Sequence, residues 1–503
     1  MKSEADRMFL LGVNQIVGHG YPYSPAAAGE PGLSLYAAAA FNSHNPWFQV
    51  MPDVTRYLQR MSWLLRQGKP ANDIAILLPE DDAQAAFTPG HVSVTDEMRK
   101  RISPELMAAI LDAGYNIDYI DAATIDKLNG VPYPVVVLPN VTRLPLSAYR
   151  KIEAYVAAGG QVISLDKTPT LAPGLKEQDS SAEIAATSAR LFQSPGHKGV
   201  ALDSVSALAE ALHKALPPDV DATGQTSNLG FIHRKLDDMD LYYVVNSSNQ
   251  TVSGNIKFRA AHSTIESWNP DGGTILTSAA YDKSAGIPIQ LAPYESRVFV
   301  LGDAPVKKNV SEQLAHNQAE HLLQDLSSGW QIRFADETSS QPVEHLASWT
   351  ELPGKQFYSG KAVYTRTFTL QDLLAANARV LLDFGEGVAT IDNRPPHAPG
   401  MRALLDPPIR EAAIVFINGQ RVASLWHPPY RIDITSLLQR GENRIEVTVY
   451  NTAVNEMAGQ PKRDYTALNA LYGKRFDMQD MDHLQPVPSG LMGPIHLLEE
   501  RPK

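Results

Sequence analysis

At 503 residues the chain is long enough for several domains, roughly three or four. Its 44% hydrophobic and 20% charged residues describe a folded protein rather than a disordered one. A net charge of −11 disfavours binding to nucleic acid or to an anionic membrane surface, and the absence of cysteine removes disulfides, thiolate chemistry and Cys-ligated zinc. The start, MKSEADRMFLLG, is interrupted by acids and has no long apolar run behind it, so it is not a secretory signal. No other stretch is long and apolar enough to span a bilayer.

The apolar run from Met8 to Val17 is bounded by glycines, and Val13 to Val17 reads as a buried strand with Gly18, His19 and Gly20 at its carboxyl end. A long loop comes next, carrying Tyr21, Tyr23, Glu30, Tyr36, His44, Asn45 and Trp47. Val54, Tyr57, Leu58, Met61, Leu64 and Leu65 then mark one face of a helix ending near Gly68. Loops at the carboxyl ends of strands commonly hold the sites of α/β enzymes. Rings beside His, Asn and Glu suit a sugar, since rings stack on pyranose faces while polar groups take the hydroxyls. The candidate substrate-binding set is therefore His19, Tyr21, Tyr23, Glu30, Asn45 and Trp47. The competing reading is a structural loop in which His44 and Asn45 cap the helix. One strand and one helix cannot make an α/β core alone, so residues 1–70 are expected to be the tail of a larger domain or to pack on the domain after them.

Residues 71–225 form the second expected domain. Apolar strands at Ile74–Leu78, Ile117–Ile120, Val135–Leu138 and Val162–Leu165 alternate with helices at Pro104–Ala113, Ala122–Leu128 and Ser147–Ala158, which predicts a parallel sheet covered on both faces. The acidic loop LPEDDAQ after the first strand would repel a phosphate, which argues against a nucleotide cofactor. Its spacing does not match a Ca²⁺ loop.

From Leu229 the period becomes two, predicting a small antiparallel β domain over residues 228–302. There His233, Arg234, Asp237 and Asp240 either reach a ligand or are turn and edge residues of a solvated sheet. Residues 303–321 read as a helical connector. Residues 322–503 hold short strands with turn chemistry at INGQ and QRGENR, predicting a galactose-binding-like β-sandwich or jelly roll. Trp426, His427, Pro428, Pro429 and Tyr430 form either a carbohydrate platform or a buried corner.

Several of these stretches carry a resemblance. GVNQIVGHGYPYSP followed by NPWFQVMPDVTRYLQRMSWLLRQG resembles the last strand and helix of the catalytic barrel in glycoside hydrolase family 106, the α-L-rhamnosidases. AYVAAGGQVISL is similar to the domain after that barrel, and RKLDDMDLYYVVNSSNQ, SWTELPGKQFYSGKAVYTRTF, FINGQRVASLWHPPYRIDITSLLQRGENRIEVTVYN and SGLMGPIHL to its β domains. The resemblance implies a multidomain α/β plus β fold: a terminal strand–helix unit of a TIM-like (β/α)8 barrel, a parallel α/β domain, a small antiparallel β domain and a carboxyl-terminal jelly roll. It implies inverting hydrolysis of terminal α-L-rhamnosides in glycans or glycosides by two glutamates on barrel strands, with a calcium ion (Ca2+) near the site. Those strands precede Val13 in the family, so the chain is expected to be the carboxyl-terminal half of such an enzyme, inactive alone and partnered by the missing barrel portion. Neither Glu4 nor Glu30 matches the catalytic motif. The alternatives are a non-catalytic carbohydrate-binding or scaffold protein and a β-galactosidase-like glycosidase. If an upstream portion is missing, a periplasmic or extracellular location stays open.

Overall fold

The computed structural model describes residues 1–19, 26, 41–307, 319–370, 378–394, 402–461, 464, 466–473 and 483–501. The candidates Tyr21, Tyr23 and Glu30 lie outside them.

The parallel sheet forms where its continuous apolar runs predict. Its five strands lie in the order Ile117–Ile120, Ile74–Leu77, Val135–Pro139, Gln161–Leu165 and Val200–Leu202. Successive residues face opposite layers. Ile74, Ile76, Val135 and Val137 pack on helices Pro104–Asp112 and Leu208–Ala215. Ala75, Leu77, Val136 and Leu138 pack on helices Leu146–Ala157 and Ser181–Phe192. Burial on both faces is why the central strands Ile74–Leu77 and Val135–Pro139 are apolar at every position. Ser103 caps its helix by accepting a bond from the Leu106 amide at 3.3 Å. The acidic loop expected at LPEDDAQ is instead a helix, Glu80–Ala85. Asp82 is buried there, and its Oδ2 accepts the amides of Thr142 (2.7 Å) and Arg143 (3.0 Å). This carboxylate is spent on the backbone of the next strand's exit loop.

The antiparallel unit has two sheets around one core. The larger runs Lys69–Pro70, Leu229–Lys235, Met239–Asn246, Ser296–Gly302, Thr264–Asn269 and Thr274–Ala280. The smaller contains Ile287–Leu291, Val252–Phe258 and Val220–Gln225. That last strand lies within the stretch expected to belong to the parallel unit, yet it hydrogen-bonds here. Tyr242, Val244, Phe299 and Leu301 point into the core between the sheets. Leu241, Tyr243, Val245, Val298 and Val300 point the other way, onto two helices, α1 (Lys2–Leu10) and α2 (Met51–Leu64).

That helical layer corrects the expected barrel strand. Residues 13–19 carry no regular secondary structure, and Val17 is 82% exposed. An apolar run needs a neighbouring strand to become one, and none lies beside this segment among the described residues. The acidic start forms α1 instead, whose Ala5 and Phe9, four residues apart, share the face on the sheet. Among the described residues the parallel strands are those of the open sheet; no closed barrel is present. The helix expected from Val54, Tyr57, Met61 and Leu64 does form, and it buries those four residues. Burying Phe9, Tyr57 and Met61 contributes about 1.5–3 kcal/mol each. After α2 the chain turns at Gly68, where a Cβ would lie 2.1 Å from the Lys235 carbonyl oxygen.

The carboxyl-terminal unit is two antiparallel sheets on a shared core. One contains Gln341–Val343, Trp330–Phe334, Lys361–Leu370, Gly441–Tyr450, Ala412–Ile417 and Gln420–Leu425; the other contains Ala319–Asp325, His496–Arg501, Arg379–Asp383 and Arg431–Asp433. Trp330, Tyr364, Val415 and Val447 of the first meet Val380, Leu382, Ile432 and Leu497 of the second. Residues Ala319–Asp325, within the expected helical connector and the start of the sandwich, are a strand paired with His496–Arg501. The remainder of the connector, 308–318, lies outside the described residues. The INGQ turn forms with Asn418 and Gly419 both at positive φ, joining two strands of the first sheet.

Between α1, α2 and the larger antiparallel sheet sits a buried polar knot. Lys2 Nζ donates to Asp6 Oδ2 at 2.6 Å, to Ser296 Oγ at 2.8 Å and to the Tyr294 carbonyl at 3.1 Å. The Tyr57 hydroxyl bonds Asp6 Oδ1 and lies 3.1 Å from the Tyr243 hydroxyl. Burial and the neighbouring Asp6 charge hold both tyrosines well above the ordinary phenol range. Removing one partner of such a pair strands a buried charge. Asp6→Ala is expected to cost about 3–5 kcal/mol in denaturant unfolding, while Lys2→Met combined with Asp6→Leu costs less than Asp6→Ala alone. Equal losses would mean the charges contribute only their volume.

Candidate functional site

The segment leading into α2 docks on the carboxyl-terminal sandwich. The Trp47 amide donates to the Asn451 carbonyl at 3.0 Å, and Asn45 Oδ1 accepts the Ala453 amide at 3.2 Å. Asn45 precedes the short 3-10 turn Pro46–Val50, but its side chain is turned to the sandwich and not to that turn's own amides. The expected capping role is therefore replaced by a cross-link between units. Asp53 reinforces the joint: Arg421 reaches its Oδ2 at 2.6 Å, Ser424 donates to the same oxygen, and Arg56 pairs with Oδ1 at 2.6 Å. Burial works to raise the Asp53 carboxyl, but the Ser424 hydroxyl, Arg421 and Arg56 outweigh it and hold it below its ordinary value. Val50, Val54 and Ala412 close a small apolar cluster beside this joint.

A cleft of about 370 Å³ opens along it. Phe41, Trp47 and Trp426 supply rings, Asn45 and Thr452 supply hydrogen-bonding groups, and Glu4 and Glu411 bring carboxylates. Phe41 and Trp47 meet edge to face at 6.2 Å. Trp426 is held edge to face against Tyr57 at 6.1 Å and His427 at 4.3 Å. His427 is in turn fixed by Asp271 Oδ1, 2.9 Å from its Nε2. The Glu411 side chain is open to the cleft, yet the surrounding walls partly strip its carboxyl of water and raise its pKa against the opposing charge of Arg410. Rings with a few convergent polar groups in a concave site are what a sugar requires.

Of the residues singled out in the sequence, Asn45 and Trp47 line this cleft. His19 does not: it is exposed and absent from the cleft's lining, although the adjacent Gly18 lies against the Phe41 ring. The sandwich pair divides. Tyr430 is a core residue, 5% exposed, whereas half-buried Trp426 faces the cleft, so the two rings form no common platform. Glu411 had no local signal, standing just before the ordinary strand Ala412–Ile417. Among the described residues no group of three or more His, Cys, Asp or Glu is placed to hold a metal ion. No helix among them is long and apolar enough to cross a membrane.

Glu411 generates a prediction about pH. A carboxyl whose pKa is raised on folding binds protons more tightly in the folded state, so its contribution turns unfavourable as pH rises through that window. Glu411→Gln should therefore stabilise the protein at pH 7 relative to its effect at pH 4, read by thermal melts at both values. An unchanged difference would mean that the cleft does not desolvate this group.

The profile of the α-L-rhamnosidase family, glycoside hydrolase family 106, matches residues 1–283. The structure overlays a rhamnosidase from Novosphingobium sp. PP1Y with a TM-score of 0.74 and 24% identity, over 99% of this chain and 46% of that one. A Formosa agariphila protein, provisionally named a beta-glucuronidase, is 26% identical over 331 residues, 62% of this chain and 26% of that protein. The chain thus spans less than half the length of either.

Proposed function

This chain belongs to the α-L-rhamnosidase family, glycoside hydrolase family 106, and from that premise we propose that it is the carboxyl-terminal part of an inverting enzyme that removes terminal α-L-rhamnose from glycans or glycosides. The family match over residues 1–283 carries this reading. The cleft at Trp47 and Trp426 supports it by offering rings and polar groups suited to a sugar.

Inversion needs an acid and a base on opposite faces of the sugar, about 6.5–9.5 Å apart, with a water between the base and the anomeric carbon. A barrel site takes such groups from the ends of several strands. Since this chain covers 46% of the rhamnosidase it overlays, the catalytic glutamates belong to the longer enzyme in this proposal. The cleft then serves as a sugar-contacting wall. Trp47 and Trp426 stack on ring faces, and Asn45 and Thr452 take hydroxyls.

The test is the purified chain with p-nitrophenyl α-L-rhamnoside and calcium present. Turnover should match the buffer control, and fusion to an upstream barrel should restore it. Robust turnover that disappears in Glu411→Gln would overturn the proposal by placing a working carboxylate in the cleft. Binding is a separate expectation: Trp47→Ala should weaken rhamnoside affinity by about 1–3 kcal/mol in calorimetric titration, through lost stacking and burial. Unchanged affinity would return Trp47 to a purely structural role.

A further inference from the structure

A chain of acids and imidazoles lies away from the cleft, within the antiparallel unit, and its inner end reaches the junction with the parallel unit. His233, on the strand Leu229–Lys235, is 5% exposed. Its Nδ1 is 2.9 Å from Asp219 Oδ2, and its Nε2 is 2.6 Å from Asp240 Oδ1. The other oxygen of Asp240 lies 2.9 Å from His262 Nε2, and His262 Nδ1 lies 3.0 Å from Asp303 Oδ2 at the surface. The Tyr242 ring stacks on His233 at 3.9 Å, and its hydroxyl donates to Asp219 Oδ1 at 3.0 Å. Arg259 closes the inner end: its guanidinium bonds Asp73 of the parallel unit and stands 3.6 Å from Asp219. Tyr115, from the same unit, lies near Arg259 and Asp73, and burial pushes its phenol up to about 12.

Every ring nitrogen of both histidines faces a carboxylate oxygen. A neutral imidazole has one N–H and one lone pair, so it can satisfy only one of its two neighbours. Only the imidazolium donates on both sides. We propose that Asp219, His233, Asp240, His262 and Asp303 form a pH-operated latch within the antiparallel unit, beside its junction with the parallel unit, that holds this unit tight in acidic and neutral solution and loosens it in alkali.

The charges agree with this geometry. With both imidazoles protonated, His233, His262 and Arg259 face Asp73, Asp219, Asp240 and Asp303; with both neutral, Arg259 alone faces the four carboxylates. Burial opposes charge on His233, but Asp219 and Asp240 outweigh it and raise its pKa; Asp303 and Asp240 do the same for His262. A histidine with a raised folded pKa contributes stability that is complete below the unfolded value, about 6.5, and lost as pH climbs through the folded one. Asp240 is held low by both histidines against the pull of burial, and exposed Asp303 is held low by His262 and Ser263, so their contribution is lost in the opposite direction, as pH falls through their depressed values. The alkaline limb therefore belongs to the imidazoles.

The experiment uses the whole chain. Histidine side-chain NMR tracks the two imidazoles between pH 5 and 10, and thermal melts at pH 6 and pH 9 track stability in the parent, His262→Gln and Asp303→Asn. Both imidazoles should titrate above the ordinary value of about 6.5. The parent melting temperature should fall by about 4 °C or more from pH 6 to pH 9, and by half that or less in His262→Gln. Asp303→Asn, at an exposed position, should lower the His262 midpoint, and it carries the test alone if His262→Gln fails to fold. Midpoints at or below about 6.5, or an equal alkaline fall in all three proteins, would overturn the proposal.

Discussion

The position of the amino-terminal helices depends on one buried ion pair, Lys2 with Asp6, and on the hydroxyls gathered around it. Both side chains are 1% exposed, so the cost of removing two charges from water is met only by complete hydrogen bonding. Tyr57 brings α2 to Asp6, while Ser296 and Tyr294 bring the antiparallel unit to Lys2. An apolar seam would tolerate sliding of the helices; a knot with fixed donors and acceptors does not. From this anchorage α2 projects Val54 toward the sandwich and Tyr57 against Trp426, so the cleft wall is placed by contacts buried behind it.

The central strands of the parallel unit were legible because Ile74–Leu77 and Val135–Pro139 are buried on two faces and apolar throughout, whereas the short, partly exposed edge strand Val200–Leu202 was not expected. Val135–Pro139 has no polar residue to mislead. Local chemistry was equally readable at Ser103 and at the Asn418-Gly419 turn, where a short-range bond or a positive φ decides the conformation. The failures are of another kind. Met8 to Val17 is apolar enough for a strand or for part of a helix, and a short run does not decide between them. What decided was the tertiary environment: an open sheet face was available to Phe9, and among the described residues no strand edge to Val13. In FIHRK, Phe231 and His233 share one parity and both point inward, so the burial of His233 was implicit in the alternation. Its polar character concealed it.

The cleft was legible only in part, for a reason of distance along the chain. Asn45 and Trp47 stand out as a polar and an aromatic residue on a loop. Their counterparts, Glu411, Trp426 and Thr452, come from the far end of the sequence, and no local periodicity links the two sets. The joint through Asp53, Arg421 and Ser424 is likewise a meeting of residues unremarkable in their own neighbourhoods. Single-chain pattern reading recovers elements and their faces. Sites made where elements meet require the packing.

The strand pairing of Lys69–Pro70 with Arg234 and Lys235 gives the parallel unit a distinctive status. The chain leaves the antiparallel sheet at Pro70, builds the whole doubly wound layer, and returns through Asp219 to the strand Val220–Gln225. Asp73 and Asp219, one near each crossing, share the guanidinium of Arg259. The unit is therefore a cassette inserted into a β scaffold, with both of its ends at one doorway. Insertions with adjacent ends can be exchanged, shortened or removed without re-registering the host sheet. The β scaffold and the cassette inserted into it are thus free to diverge at different rates.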